Sequence, residues 1–438
     1  MTRRWIWPAL LAAAACSEQT TAPGVCPNFC PSGAINIQDT IFTSIVNRDS
    51  SYGGFVPNYS AEGMGVTDLP GIIDSRAFVT FDTMSRRVRA KAGDTTTVPI
   101  TVDSIRVRMT ILRRPTHEPN LRLKLYRLPT SVDTTSDFAS LAPYFTSPVL
   151  DSMNVSTLLA LPAKGDTQTV RLWGDSIRVD SAGNVLQINR TDSTLTVYFL
   201  LDTLQTPLVE ADTGRVAYGI RVGADSFPSV TLATSETSSP PQIRWFYHYL
   251  GPDTVATKTD TITLHANRIV GPRFDSFVFS PPTPPLDSNL AVGGVPSVRS
   301  LLRIALPTFL RDTTRVDVVR ATLILVPESA VPGVPSDSFR ILARPVLADL
   351  GGKSPLGTTS TLFGSTYIHI NSPDTVRIEL TAMVRAWAVD TSMTTAFILG
   401  AVPEATSYQQ IRFYSTRAPA LRPSLQVTYV HRFQFGVP

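Results

Sequence analysis

Charge is sparse and unclustered in this chain of 438 residues: 39 Lys and Arg stand against 35 Asp and Glu, a formal net charge of +4 with no basic run. Binding a nucleic-acid backbone requires a concentrated basic face that displaces counterions, so no nucleic-acid partner is expected. Histidine is scarce, and His117, His248, His265, His369 and His431 lie far from one another in sequence. With only three cysteines, no zinc-ligand spacing forms, and no metal site is expected. Gly-x-Ser-x-Gly, His-Glu-x-x-His and the full phosphate-cradling Gly-x-x-x-x-Gly-Lys-Ser/Thr are all absent. Without a nucleophile, base and orienter, the chain reads as a non-enzyme with no catalytic residue and no cofactor. Carboxylates distant in sequence can still meet in space, which keeps a glycan lyase or hydrolase as the last of three readings. The acidic stretch Asp39 to Asp49 has no EF-hand spacing, so a solvated loop is expected there in preference to calcium. After the first sixteen residues no apolar run reaches the roughly 18 residues of a membrane-spanning helix.

The N-terminal residues differ in character from the rest of the chain. Arg3 and Arg4 precede apolar Trp5 to Leu11 and then Ala12 to Ala15, the order of an export signal peptide. Small residues directly before Cys16 resemble the lipobox of bacterial lipoproteins, with Ala13 where that motif usually carries Leu. The resemblance implies that residues 1–16 hold the signal and the lipidated Cys16, whose acyl chains anchor the protein in a membrane. Ser17, where the sorting rule of enteric bacteria reads Asp for retention, points by that resemblance to the outer membrane or cell surface. The alternative is a secreted protein cut near Ala15. In an oxidising exported compartment Cys26 and Cys30 are expected to pair as a disulfide. Residues 17–33, rich in Pro, Gly, Ser and Thr, read as a flexible tether.

From Ala34 onward the sequence is dominated by period two. At 43% apolar and 17% charged the chain can bury real cores, and its 35 prolines favour short strands and turns over a helical bundle. Ile105, Val107, Met109 and Ile111 alternate with Arg106, Arg108 and Thr110, the pattern of a strand with one buried and one wet face. Leu121, Leu123 and Leu125 do the same against Arg122 and Lys124. The plan occurs twice: Asp103–Leu112 matches Asp317–Val326, each preceded by a strand opening on an Arg, at Arg76 and Arg299. Leu172-Trp-Gly174 parallels Leu362-Phe-Gly364, and Pro241–Tyr247 parallels Pro423–Tyr429. The expected fold is therefore all-β, two tandem antiparallel β-sandwich domains of jelly-roll type. The first should span 34–250 with extra residues around Pro129 to Lys164, and the second 268–438, across a boundary at 251–267.

At these residues the chain resembles the DNRLRE-domain β-sandwiches, a group that includes family 96 carbohydrate-binding modules. The resemblance rests on Ser75–Asp82, on Val319–Leu325, on Leu380–Trp387, and on the closing pattern Ile411–Ser415 followed by Arg422–Tyr429. It implies a sandwich and, for function, polysaccharide binding. Sugars are held by an aromatic ring under the apolar face of a pyranose. Among the aromatics Tyr52, Phe55, Tyr59 and Tyr408, in apparent loops, are the platform candidates. Trp173, Trp245 and Trp387 read as core residues, Trp387 on a helical stripe with Leu380 and Val384. Arg76 and Arg299 read as structural, each bracing a carboxylate through two hydrogen bonds. The leading expectation is a lipid-anchored surface protein that binds polysaccharide. The second is a structural or adhesive envelope protein that contacts other proteins.

Overall fold

The computed structural model describes residues 37–432, less 91–92, 94, 115–117, 147, 157–167, 173–174, 180–189, 192–193, 202–213, 253–260 and 335–336. Cys16, Cys26, Cys30, His117 and Trp173 lie outside the described residues. The protein is all-β, with antiparallel sheets packed around two large hydrophobic cores.

The first core grows from the long strand Thr97–Arg113. Ile105, Val107, Met109 and Ile111 are fully buried, as their alternation requires. Thr194–Leu201 pairs along one side, setting Leu195 opposite Ile111 and Phe199 opposite Val107. Gln242–Pro252 pairs along the other, setting Trp245 opposite Ile105. Facing this sheet are Pro272–Ser280, Ile73–Asp82, Arg215–Gly223, Arg122–Leu128 and Val149–Asn154, hydrogen-bonded in that order. They contribute Val79, Phe81, Ile220 and Leu123 to the same core. Gly63–Leu69 and Ser229–Ala233 bridge the layers at one corner. The outer face is drier than the alternation predicts. Arg106 and Thr110 are also buried, because Arg106 lies 4.7 Å over the ring of Phe246 and Thr110 meets Thr196.

The extra residues after Pro129 have a clear packing role. The short helix Phe138–Leu141, with Asp137 as its capping residue, and the turn Ala142–Phe145 lie on the outer face of the second layer. There they build a small core from Phe78, Tyr126, Leu128, Leu141 and Phe145. Gly219 is required beneath it, since a Cβ at that position would stand 2.5 Å from the Phe145 ring.

The second core lies between two further sheets. One orders Ile37–Phe42, Ser424–His431, Val316–Leu325 and Val376–Glu379. The other runs from Gly364–His369 through Ser338–Pro345, Ala396–Val402 and Val298–Ile304, with Leu290–Gly293 and Gln410–Phe413 beyond. The helix Thr381–Val389 buries Met383, Val384 and Trp387, as the stripe predicts, with Trp387 6.4 Å from Phe397.

The strands do not divide the chain at 251–267. Ile37–Phe42, expected in the first body, pairs with Ser424–His431, and Val46–Gly53 pairs with Val298–Ile304. Ile45 and Val46 are buried in the second core. Conversely Thr261–Val270 extends the sheet of Gln242–Pro252, and Pro272–Ser280 pairs with Ile73–Asp82, so both complete the first body. The two strands that lead each copy are exchanged. The pairings are alike in form: the strand holding Arg76 and the strand holding Arg299 each take a partner strand along one edge, which satisfies the backbone groups of that edge.

Candidate functional site

The two arginines at matching positions make matching clamps. Arg76 gives Nε to Asp74 at 3.0 Å and a second nitrogen to the other carboxylate oxygen at 2.5 Å, with its guanidinium 4.5 Å over Phe138. Arg299 gives Nε to Glu404 at 2.8 Å and a second nitrogen at 3.1 Å, lying 4.2 Å over Phe55. Asp74 is also reached by Arg221, itself paired with Asp68. A planar fork satisfied on both prongs and covered by an aromatic ring holds a strand end in place.

The four aromatic candidates do not form one platform, because each packs against a different neighbour. Tyr52 lies on Gly351 and Gly352 beside the Leu301 and Val346 cluster. Phe55 is covered by Arg299. Tyr59 is 43% exposed and tilts against Phe274. Tyr408 packs on Phe279, where burial, reinforced by the negative charge of Asp337, pushes its hydroxyl well above the ordinary phenol range. Tyr408 does border a groove of about 320 Å³ with Ile72, Pro281 and Val331.

A larger cleft of about 420 Å³ opens where the two bodies meet. Arg113 enters it from the first body, donating to Asp337 at 3.1 Å and to the Ser338 carbonyl at 2.6 Å. Burial raises the Asp337 carboxyl, and Arg113 opposes that rise. The second body contributes Phe339, Arg340 and Tyr367. Arg340 and Tyr367 are direct cross-strand neighbours, and Tyr367 is 60% exposed. Among the described residues the lining carries two arginines and no carboxylate. Sequence reading missed Tyr367 because it looked for rings in loops. The available signal was its phase: in Gly364–His369 the inward residue is Ile368, which turns Tyr367 outward.

Two other expectations change. Asp39 to Asp49 is not an acidic loop: it spans two strands, with Asp39 accepting from Gln426 and Thr428 and Asp49 from the Thr416 amide. His248 and His265, distant in sequence, are directly opposite each other on paired strands. Asp103 Oδ1 lies 2.7 Å from His248 Nδ1, and Oδ2 lies 3.7 Å from His265 Nδ1. Among the described residues no helix is long and apolar enough to cross a membrane.

Comparison with known proteins gives no match to any protein-family model and none among curated proteins.

Proposed function

We propose that this chain is a non-catalytic, exported protein, lipid-anchored through Cys16 at the bacterial outer membrane or cell surface, that binds polysaccharide in the cleft between its two sandwich bodies. The DNRLRE-like pattern supports the reading, and one observation carries it. The exposed Tyr367 ring stands beside Arg340 in a cleft without carboxylates among its described lining residues, so an apolar platform adjoins a donor for sugar hydroxyl or carboxylate groups. The test is a neutral and acidic polysaccharide panel measured against wild type and Tyr367→Ala, with reducing ends followed in parallel. The variant should bind about tenfold more weakly, the loss of ~1.4 kcal/mol, while Tyr59→Ala binds as wild type. Binding indifferent to Tyr367, or no binding at all, refutes the assignment, and product formation refutes its non-catalytic part.

A second reading has its own support. Among the described residues Ile37–Phe42 and Thr261–Val270 are edge strands carrying exposed apolar residues, Ile37 at 63% and Ile41 at 55% on the first, Ile269 at 45% on the second. Unpaired apolar edges are surfaces on which other chains can add. An adhesive or structural role predicts self-association in sedimentation that Ile41→Lys abolishes.

A further inference from the structure

The outer face of the first body holds a chemistry that the polysaccharide reading does not use. Gln242–Pro252 lies between Thr97–Arg113 and Thr261–Val270, and each of these three strands sends one metal-binding side chain to the same place. Two features of the backbone bring this about. His248 and His265 are a directly opposed cross-strand pair, with ring centroids 5.6 Å apart. On the other side the register slips: Phe246 pairs with Ser104 and Tyr247 with Val102, which leaves Asp103 as the extra residue of a bulge. A bulge re-aims the side chain it carries, and this one delivers a carboxylate to the two imidazoles.

We propose that Asp103, His248 and His265 form a binding site for a divalent transition-metal ion, with Zn²⁺ as its first candidate. One ligand atom from each residue lies within 4.8 Å of the others. Ligand atoms around a tetrahedral zinc ion sit about 3.4 Å apart, given bonds of about 2.0–2.1 Å. Closing from within 4.8 Å to that spacing is a change of at most about 1.4 Å. The second carboxylate oxygen of Asp103 is buried and makes no hydrogen bond, an unmet acceptor on the side of His265. An ion would satisfy it. The donor set selects the class of ion: two imidazoles with a single carboxylate suit zinc and its neighbours, whereas calcium and magnesium require a shell of oxygens. The side chains of both histidines remain 34% exposed, which gives an ion a path in and leaves its fourth position open to water. The site also has a structural consequence. Thr261–Val270 is one of the exchanged strands, so a bound ion staples it to two strands of the body that it completes.

The test uses the full chain in mild detergent with its cysteine thiols alkylated, so that Cys26 and Cys30 cannot contribute thiolates. Zn²⁺ is titrated against a chromophoric chelator, Co²⁺ is added separately as a spectroscopic probe, and melting is recorded with and without Zn²⁺. One ion per chain, visible cobalt bands of a four-coordinate site with nitrogen ligands, and a raised Tm are expected. His248→Ala, His265→Ala and Asp103→Asn should each lower affinity at least tenfold, while His369→Ala binds as wild type. Asp103→Asn is nearly isosteric and serves as the folded control should a histidine variant lose its structure by circular dichroism. Absence of a stoichiometric ion, or an ion that survives Asp103→Asn and His265→Ala with unchanged affinity, overturns the proposal. Loss of glycan binding by Tyr367→Ala leaves it intact, since that residue belongs to a different part of the molecule.

Discussion

Removing the residues up to Gly53 separates the exchanged topology from a simple tandem arrangement. In a tandem chain the loss would damage the first body. Here it strips the second of Ile37–Phe42 and Val46–Gly53, and with them of Ile45 and Val46, which are 4% and 0% exposed. Burial of each of these side chains contributes about 1.5–3 kcal/mol. Loss of the half-buried Phe42 and of the exchanged ladder hydrogen bonds brings the total to about 5–8 kcal/mol, comparable to the whole stability of an ordinary domain. The truncated chain should therefore retain protection from protease across 63–280 and lose it across 290–431. A synthetic peptide covering residues 36–54, added in trans, should restore it. Limited proteolysis with mass-spectrometric mapping of cut sites reads both outcomes. Cleavage concentrated in 63–280, or protection of 290–431 without the peptide, refutes the exchange.

Two further measurements probe the packing and the buried charges. Gly219→Ala places a methyl against the Phe145 ring and should cost about 1–3 kcal/mol in urea denaturation. In the Gly219→Ala/Phe145→Leu pair the cost of the glycine change should fall, whereas strict additivity would place the clash elsewhere. Asp275 is 2% exposed, and desolvation raises its carboxyl above the ordinary aspartate range despite the Ser235 amide hydrogen bond. Its folded form thus binds a proton more tightly than its unfolded form. Stability should rise as pH falls from above its raised folded value towards the ordinary aspartate range, and Asp275→Asn should flatten that slope. A slope unchanged in the variant rules Asp275 out as its source.

Much of the architecture was legible because alternation is a local signal. Ile105 to Ile111 and the Leu380, Val384 and Trp387 stripe each report their own buried face without reference to the rest of the chain. The clamp at Arg76 and Arg299 was legible for the same reason, as a repeated residue type at a repeated position, although its carboxylates, Asp74 and Glu404, were not. Partner choice between strands was hidden, since period two states which face is buried and is silent about which edge is joined. His248 and His265 were hidden in the same way: their meeting depends on a strand register that the intervening residues leave free. Tyr367 was missed for another reason, the assumption that binding rings sit in loops.

The exchange also makes the molecule a closed circuit. Asp39 accepts a hydrogen bond from Gln426 across 387 positions, so two of the described strands most distant in sequence are direct partners. Closing a loop of that length in a floppy chain costs about 5 kcal/mol in entropy beyond a constant. Prior assembly of 63–280 shortens the span, since one compact body then holds both arms near each other. A folding route in which 63–280 assembles before the strands at 37–53 and 424–431 pair would pay the smallest closure cost.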